Sequence, residues 1–390
     1  MRSLDELQLI ATTGFGLESL VREELLALGF NDPTLTPGRV HFTGDLEAIC
    51  TSNLWLRVAE RVVLSLGSFM APTFDHLYDG LRELPWTKWM PKEASFPVDV
   101  KTRASKLTSV PACQSVGKKA VVDSMKEEYN VDWFPENGPL YPIRIELDKN
   151  RATVAIDTTG PGLHKRGYRN QPTEAPLQET VAAAMIYWSK WQREKPLIDP
   201  LCGSGTIPIE AAMMGSNTAP GLRRYFISED WPRIPAKLWQ RARKKARAKR
   251  IKNPESMTIK GFDHQQNLVD IARYHAEQAG VRELIDFKPQ PLSDLKRASN
   301  QGSIITNPPY GERLQDSERV KELYALMGKT LLPLKGWSLN ILTSHQGFEE
   351  HFGSRATRKR SIYSGGLECN YYQYFNQGDN KEEGGQNHVH

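Results

Sequence analysis

The sequence NPPY at residues 307–310 directly follows the apolar run SIIT, which is typical of a buried strand. Proline lacks a backbone N–H and restricts the preceding residue to extended conformations, so Pro308 and Pro309 end the strand and form a rigid corner. The side-chain oxygen of Asn307 and the carbonyl of Pro308 can each accept a hydrogen bond, and Tyr310 offers an aromatic face. Such a corner could hold a flat ring that carries an amine. The alternative is a rigid strand exit without a ligand.

A glycine-rich loop, DPLCGSGT at residues 199–206, joins a predicted strand to a predicted helix. Gly203 and Gly205 permit a tight turn and let backbone N–H groups approach a ligand without side-chain interference. The loop lacks both the Lys–Ser or Lys–Thr pair of a phosphate loop and the third glycine of a dinucleotide fingerprint. A turn without a ligand is the alternative. The predicted cofactor-binding residues of this loop are Asp199, Pro200, Cys202, Gly203, Ser204, Gly205 and Thr206.

An acid, Asp263, ends the predicted strand TIKGFD and is followed by His264. In doubly wound folds an acid at this place accepts hydrogen bonds from a ribose. The spacing from Gly205 is 263 − 205 = 58 residues, whereas the usual gap is about 20. A basic insertion at residues 222–254 explains the difference. We therefore predict that Asp263 and His264 bind the cofactor; an acid that only ends a strand is the alternative.

The elements that must position these residues change in type along the chain. From about residue 163, predicted strands alternate with predicted helices, which indicates a parallel, doubly wound α/β sheet. The sequence RSIYSGGLECNYYQYF near the end predicts a hairpin around Gly365–Gly366. The pattern of residues 1–65 predicts a small α+β unit. That of residues 66–157 predicts a strand, a helix and a hairpin that turns at Asp148–Asn150.

The composition is typical of a soluble protein with a core, at 39% hydrophobic and 25% charged residues. The net charge of +5 permits a polyanionic partner; the pI of about 8.8 lies below the value of about 9 that would indicate one. No apolar run approaches the roughly 20 residues of a membrane span. The start, MRSLDELQLI, lacks the layout of a secretion signal, so we expect a cytoplasmic protein without a membrane partner.

Four cysteines are scattered through the chain and never form a CxxC pair. This spacing argues against a zinc site and against a disulfide framework, and it favours buried or incidental thiols. No metal is therefore predicted. The cysteines are Cys50, Cys113, Cys202 and Cys369.

The sequences DPLCGSGT, GFD and NPPYGER, in that order, resemble those of amino-directed S-adenosylmethionine-dependent methyltransferases. Three further stretches make the resemblance more specific to one group of these enzymes: GLHKRGYR, APLQETVAAA and the amino-terminal ASKLTSVPACQSVGKKAV. The chain is similar to the bacterial THUMP-containing enzymes that make N2-methylguanosine in large-subunit ribosomal RNA, in their single-methyltransferase form. The resemblance covers residues 1 to about 376 and implies S-adenosylmethionine as cofactor and RNA as partner.

The resemblance also implies a fold and a division into domains. We expect a Rossmann-like class I methyltransferase domain at 163–376, with a mostly parallel seven-stranded sheet and an antiparallel strand from its C-terminal hairpin. A ferredoxin-like α+β unit at 1–65 and a THUMP-like RNA-binding domain at 66–157 would precede it. Residues 377–390 are polar, and we predict a disordered tail.

For the site, the resemblance implies that NPPY orients an exocyclic amine, whose lone pair is delocalised into a nucleobase. Asn307 and the Pro308 carbonyl would accept its hydrogen bonds, Tyr310 would stack on the base, and the prolines would fix both groups. Asn307 would also border the cofactor. No general base is evident, so loss of the proton to water is expected. Glu312 and Arg313 are predicted to pair structurally rather than to touch substrate.

Such enzymes usually place an acid just after the third strand, against the cofactor adenine. Gln290 and Pro291 occupy that place here, and Asp294 is the next acid. We therefore predict that Asp294 contacts the cofactor.

Basic residues form two candidate RNA-binding groups, in the THUMP-like region and in the insertion. A solvated basic helix anchored by Leu238 and Trp239 is the alternative for the insertion. The predicted RNA-binding residues are Lys101, Arg103, Lys106, Lys118, Lys119, Arg243, Lys244 and Arg247.

Three other functions stay open at this point. NPPY serves adenine as well as guanine, so a DNA adenine-N6 methyltransferase is one, and only the THUMP-like region favours RNA. A transfer RNA N2-guanosine methyltransferase is the second. A non-catalytic RNA-binding assembly factor that keeps the fold is the third.

Overall fold

The computed structural model describes residues 6–171, 177–252, 254–296, 299–310, 317–364 and 367–375. The fold has two compact units. The first comprises the chain up to Thr13, Val21–Leu163 and Arg224–Ala248; the second comprises Gly14–Leu20, His164–Arg223 and the chain from Lys249 on. The predicted turn at Gly365–Gly366, the pair Glu312 and Arg313 and the tail at 377–390 lie outside the described residues.

The first unit contains one seven-stranded sheet, in the order β2-β3-β1-β4-β7-β6-β5. Only β5 and β6 pair in parallel. The predicted boundary between residues 65 and 66 falls inside β4, which belongs to this continuous sheet. The elements up to residue 157 are β1 (Leu7–Thr12), α1 (Glu18–Ala27), β2 (Thr34–Thr36), β3 (Arg39–Gly44), α2 (Leu46–Trp55), β4 (Arg61–Met70), α3 (Phe74–Arg82), β5 (Val98–Arg103), α4 (Val110–Tyr129), β6 (Ile143–Asp148) and β7 (Arg151–Asp157).

The second unit also contains a seven-stranded sheet, in the order β10-β9-β8-β11-β12-β14-β13. The first five strands of this order pair in parallel, and β14 runs antiparallel to both of its neighbours. The elements after residue 157 are α5 (Glu179–Trp188), β8 (Leu197–Asp199), α6 (Thr206–Gly215), α7 (Ala236–Ala248), β9 (Ile259–Asp263), α8 (Gln266–Ala279), β10 (Ile285–Pro289), β11 (Gly302–Thr306), α9 (Ser317–Leu331), β12 (Trp337–Thr343), α10 (Phe348–Phe352), β13 (Arg358–Ser364) and β14 (Leu367–Tyr374).

This second sheet confirms the predicted fold class, a mostly parallel seven-stranded sheet with an antiparallel strand from the C-terminal hairpin. Its central strands are apolar on both faces because helices cover both; Ile198, Ile304 and Ile341 are buried. The order of the strands reverses at β8: β9 and β10 lie on one side of it, and β11 and β12 lie on the other. Ligands of doubly wound folds bind in the crevice at such a switch point, beyond the carboxyl ends of the strands.

A buried polar network holds α6, the helix that begins after the glycine loop. Glu210 of this helix pairs with Arg166 at 3.3 Å and accepts a hydrogen bond from the Tyr168 hydroxyl at 3.2 Å. Arg169 donates to Thr206 Oγ1, the first residue of the helix, at 2.6 Å. Since a buried charge is stable only when paired, the GLHKRGYR sequence supports the glycine loop from behind.

The insertion that separates Gly205 from Asp263 contributes residues 224–248 to the first unit. Its aromatic side chains are buried there: Trp231 stacks on Tyr141 with ring centroids 4.4 Å apart, and Trp239 stacks on Phe226 at 5.2 Å. The long spacing therefore reflects a segment that leaves the second unit and completes the first. None of the helices in the described part of the chain has the length and the apolar stretch that a membrane crossing requires.

Candidate active site

Two strand ends of the second unit bring the glycine loop and the NPPY corner to the same edge of the sheet. β8 and β11 are parallel neighbours, with Ile198 opposite Ile304. The last residue of β11, Thr306, donates a hydrogen bond from its hydroxyl to Asp199 Oδ1, the last residue of β8, at 2.7 Å. Both side chains are buried. The two predicted motifs thus begin from directly linked residues.

The two glycines of the loop are needed for different reasons. Both have left-handed backbones, with φ of +51° at Gly203 and +82° at Gly205. A Cβ at Gly205 would lie 2.8 Å from Ala272 Cβ of α8 and 3.0 Å from the Phe287 ring of β10, so a helix and a strand pack against this position. A Cβ at Gly203 would meet nothing within 4 Å. The loop is therefore closed towards the protein at Gly205 and open at Gly203.

Asp263 holds the glycine loop from the neighbouring strand. Its Oδ2 accepts the Gly203 N–H at 3.1 Å, and its Oδ1 accepts the Gln265 N–H at 3.0 Å. The exposed ring of His264 lies 3.4 Å from Oδ1. A carboxylate has about four acceptor sites, so Asp263 can support the loop and still accept from a ligand.

Asp199 is buried, and burial raises its pKa from 3.8 to about 7. The hydrogen bonds from Thr306 and the Leu201 N–H act in the opposite direction, and the charge of Asp263 raises the pKa further. Burial likewise raises the pKa of Cys202 well above its usual value, which leaves a protonated thiol. The backbone of Cys202 links the loop to β9 through its N–H and the Phe262 carbonyl at 2.7 Å.

The remaining loop residues that were predicted to bind a cofactor are also largely covered. Pro200 is buried, Ser204 is 8% exposed, and Thr206 receives the hydrogen bond from Arg169. The Ser204 carbonyl lies 3.3 Å from Nδ1 of the buried His275. Backbone atoms of this loop, rather than these side chains, are what a ligand could reach.

The NPPY corner is held from both ends. The Tyr310 hydroxyl donates to Asn307 Oδ1 at 2.7 Å, and Pro308 is buried while Pro309 is exposed. The Pro309 carbonyl accepts a hydrogen bond from the Tyr324 hydroxyl of α9 at 3.1 Å. The corner is therefore braced by hydrogen bonds in addition to its two proline rings.

Tyr324 was not identified from the sequence, where it is one member of a helical apolar stripe. It is fully buried, and its hydroxyl also lies 2.9 Å from the Thr343 hydroxyl at the end of β12. Burial raises the pKa of Tyr324 to about 12. The Tyr324 hydroxyl thus stays protonated and can donate a hydrogen bond to the Pro309 carbonyl at any physiological pH.

Asp294 lies in a short 3₁₀ turn, Leu292–Asp294, that follows β10 at the same edge of the sheet. Its carboxylate is exposed and accepts a hydrogen bond from Ser293 Oγ at 3.1 Å. Leu292 anchors the turn in the core beside Phe262. The position is compatible with a ligand contact, and the role stays a prediction.

Three protein-family models match the chain. They are the RMKL-like methyltransferase domain at residues 166–373, the RlmL ferredoxin-like domain at 8–63 and the THUMP domain at 71–157. The chain belongs to the RMKL-like methyltransferase family. The predicted resemblance to THUMP-containing methyltransferases is thereby confirmed.

Two curated relatives differ in length. The methyltransferase is 42% identical over 369 residues to YpsC of Bacillus subtilis (strain 168), which is named as a candidate RNA methyltransferase. The aligned region covers 94% of this chain and 95% of YpsC. It is 33% identical over 377 residues to the ribosomal RNA large subunit methyltransferase K/L of Syntrophotalea carbinolica, which covers 93% of this chain. The methyltransferase spans only about half, 53%, of that second relative.

Two solved structures share the whole architecture. One, from Listeria monocytogenes, is described as a predicted N6-adenine-specific DNA methylase; it has a TM-score of 0.91 and 42% identity, over 95% of this chain and 97% of the other. The second is SMU.472, a candidate methyltransferase in complex with SAH, with a TM-score of 0.90 and 43% identity, over 96% and 99% of the two chains.

Several cations of the THUMP-matched region have protein partners. Lys118 pairs with Glu136 at 2.6 Å and also donates to the Phe96 carbonyl. Arg103 pairs with Asp148 at 2.7 Å. Lys119 lies 5.7 Å from the centre of the Tyr78 ring. The side chains of Lys101 and Lys106 are exposed.

The cations of the basic helix α7 likewise include some that pair with protein groups and some that are exposed. Arg243 is half-buried, pairs with Glu229 at 2.5 Å and donates to the Arg224 carbonyl. Arg241 and Lys245 both pair with Glu47 of α2. Lys237, Lys244 and Arg247 are exposed, while Trp239 is buried as the structural alternative required. The helix is thus both anchored and basic on its outer face.

Replacement of Asp199 by Asn tests the buried carboxyl group. Because its pKa is raised in the folded state, the wild type loses stability as the pH rises from about 4 to about 7. Asn keeps the acceptor oxygen for Thr306 and cannot ionise. We expect calorimetry to show that the difference in melting temperature, Asp199→Asn minus wild type, increases as the pH rises from about 4 to about 7. The exposed Asp270→Asn is the control, and a difference that does not change with pH would contradict the assignment.

Tyr324→Phe tests the brace behind the corner. The variant keeps the ring and loses only the hydrogen bonds to Pro309 and Thr343, so stability should fall by about 1 kcal/mol. A displaced corner misaligns the reacting groups. We expect kcat for methyl transfer to fall about tenfold while KM for the methyl donor is unchanged. Tyr363→Phe, on an exposed ring of β13, should have wild-type kinetics; equal kcat values for the two variants would rule out the positioning role.

Proposed function

We propose that the methyltransferase transfers a methyl group from S-adenosylmethionine to the exocyclic N2 amine of a guanosine in large-subunit ribosomal RNA, in the cytoplasm. The observation that carries this proposal is the Thr306–Asp199 hydrogen bond at 2.7 Å, because it joins the strand that ends in NPPY to the strand that ends in the glycine loop. An amine holder and a cofactor loop at one strand edge are what amine methylation requires.

Three observations support S-adenosylmethionine as the cofactor. The space beside Gly203 is open and could admit a ligand against the loop backbone. Asp263 retains acceptor capacity for ribose hydroxyls. SMU.472, 43% identical, was crystallised with SAH, which is the product that remains once the methyl group has left. Gly203, Asp263, Asp294 and Asn307 are proposed to contact the cofactor, and Asp199 and Gly205 are proposed to shape the loop that holds it.

When bound, S-adenosylmethionine supplies an electrophilic methyl group on a sulfonium. The chain must then hold a poor nucleophile, since the lone pair of the guanine N2 amine is delocalised into the ring. Asn307 Oδ1 accepts from Tyr310 in the structure, and its second lone pair is available to the amine. The Pro308 carbonyl accepts the other amine proton. Two acceptors favour a pyramidal amine whose lone pair points away from both of them.

Tyr310 therefore has two roles in this proposal. Its hydroxyl orients the Asn307 amide, and its half-exposed ring is the surface on which a base removed from its helix stacks. The nitrogen–carbon bond forms as the carbon–sulfur bond breaks, and the proton released from the nitrogen passes to water. No side chain is assigned as general base.

RNA is favoured over DNA by the THUMP domain, and ribosomal RNA by the K/L relative. The corner itself accepts an adenine amine equally well, which is the activity ascribed to the Listeria protein. The choice therefore rests on the domain that presents the nucleic acid, and substrates must be compared directly.

The deciding experiment offers labelled methyl donor with large-subunit ribosomal RNA, transfer RNA and DNA in parallel and digests each product to nucleosides. We expect label in N2-methylguanosine from ribosomal RNA only. Asn307→Ala should lower kcat at least a hundredfold, whereas its Kd for the methyl donor in calorimetry should rise by less than tenfold, because the glycine loop and Asp263 remain. Gln301→Ala, an exposed residue next to the opposite end of the same strand, is the matched control. Label in N6-methyladenine of DNA, or full activity of Asn307→Ala, would refute the proposal.

We also propose that RNA contacts Lys101, Lys106 and Lys119 of the THUMP domain and Lys244 and Arg247 of α7. The other predicted contacts are less suited: Lys118 and Arg243 form partly buried pairs with acidic side chains, and Arg103 is held by two hydrogen bonds to Asp148. A phosphate would have to displace these carboxylates. When the exposed cations contact phosphates, counterions leave the RNA, and this release is a large source of affinity.

A pair of variants of α7 tests this division. We expect Lys244→Gln combined with Arg247→Gln to weaken binding of ribosomal RNA and to lower the slope of log Kd against log salt by about two. Arg241→Gln, whose wild-type side chain pairs with Glu47, should change the slope by less than one. Equal slopes for the two variants in filter binding would show that α7 does not contact RNA.

A further inference from the structure

The second unit contains a cavity of about 500 Å³ that lies away from the glycine loop. It is formed at the end of α5 and the end of α6, and its lining includes Tyr187, Lys190, Trp191, Arg193, Asn217 and Ile251. α6 begins next to the glycine loop and runs for ten residues, or about 15 Å, to reach this cavity. The cavity is therefore at the opposite edge of the sheet from the catalytic corner.

An aromatic ring of fixed orientation lines this cavity. The Trp191 indole N–H donates to the Lys195 carbonyl at 2.8 Å. A Cβ on Gly215 would lie 3.2 Å from the Trp191 ring and 2.4 Å from Met257 Sδ, so the indole packs directly on the end of α6. The ring is half-exposed, and Ile251 beside it is 36% exposed. A rigid, accessible indole is a stacking platform for a planar ring.

The rim of the cavity is basic. Lys190 and Arg193 line it with exposed side chains, and the exposed Lys252 directly follows Ile251 in the chain. Arg193 pairs at 2.9 Å with Glu194, which is also exposed, and an exposed pair of this kind exchanges readily for another anion. A planar ligand that carries negative charge matches both the platform and the rim.

We propose that this cavity binds an unpaired nucleotide of the RNA substrate, with its base against Trp191 and its phosphates on Lys190 and Arg193. The inference rests on the RNA substrate of the proposed function. The volume of the cavity lies within the range of small-ligand sites. Because the cavity lies about one helix length from the glycine loop, it would be a second RNA contact, separate from the target nucleotide. Such a contact would select RNA whose single-stranded segment lies at a set distance from the target.

The test measures filter binding of a large-subunit ribosomal RNA transcript over a range of salt concentrations. Trp191→Ala should raise Kd about tenfold and leave the salt slope unchanged, because stacking does not release counterions. Arg193→Gln should lower the slope by about one. Lys329→Gln, on an exposed side chain of α9 outside the cavity, should change neither quantity. Wild-type Kd and slope for both cavity variants would overturn the proposal.

Two further measurements keep the outcome unambiguous. Trp191→Phe keeps a stacking ring, so its Kd for RNA should lie within about threefold of the wild-type value. Each variant counts as folded only if it binds the methyl donor with wild-type affinity. If Trp191→Ala does not, the result for Arg193→Gln decides whether the cavity binds RNA. GMP is added as a competitor: inhibition at micromolar concentration would identify a free nucleotide as the ligand and overturn the RNA assignment. A wild type that methylates no RNA would instead refute the proposed function.

Discussion

The hydrogen bond from Thr306 to the buried Asp199 joins the ends of two parallel strands, and the candidate site depends on it. Beyond Asp199 the chain turns into the glycine loop, and beyond Thr306 it turns into NPPY. Because both loops start from this contact, their separation is set by the spacing between neighbouring strands rather than by flexible segments. The burial that makes the bond strong also raises the pKa of Asp199 to about 7, so the geometry is achieved at a cost in electrostatic free energy.

Rigidity at the corner comes from two sources that act on different atoms. The prolines restrict backbone dihedrals, but they cannot fix where a carbonyl points once the chain leaves the strand. The Tyr324 hydroxyl holds the Pro309 carbonyl and is itself held by Thr343 from the next strand. The corner is thus tied to β12 as well as to β11, and a shift of α9 would move it. Preorganised acceptors of this kind keep their orientation before substrate binds.

The sequence was sufficient where the signal is local. Turn glycines, the prolines and the strand-to-helix alternation predicted the second sheet and the places of Asp199, Asp263 and Asn307 within it. Tyr324 could not be found in this way, because a tyrosine in an apolar helical stripe has the same pattern whether or not its hydroxyl reaches a backbone carbonyl 15 residues away. The membership of Arg224–Ala248 in the first unit depends on aromatic stacking between distant residues, which no local pattern encodes.

The basic residues show more clearly what the sequence alone could not predict. Counting lysines and arginines treats Arg243 and Lys244 as equal neighbours, although one is half-buried against Glu229 and the other is exposed. A cation held in a partly buried pair with a carboxylate contributes little net field to an approaching polyanion, so the number of basic residues overestimates the binding surface. The useful quantity is the set of exposed cations outside such pairs, and this set can be read only once the partners are known. On α7 it lies on the outer face, opposite Trp239, because burying that indole determines which side of the helix the solvent and any RNA can reach.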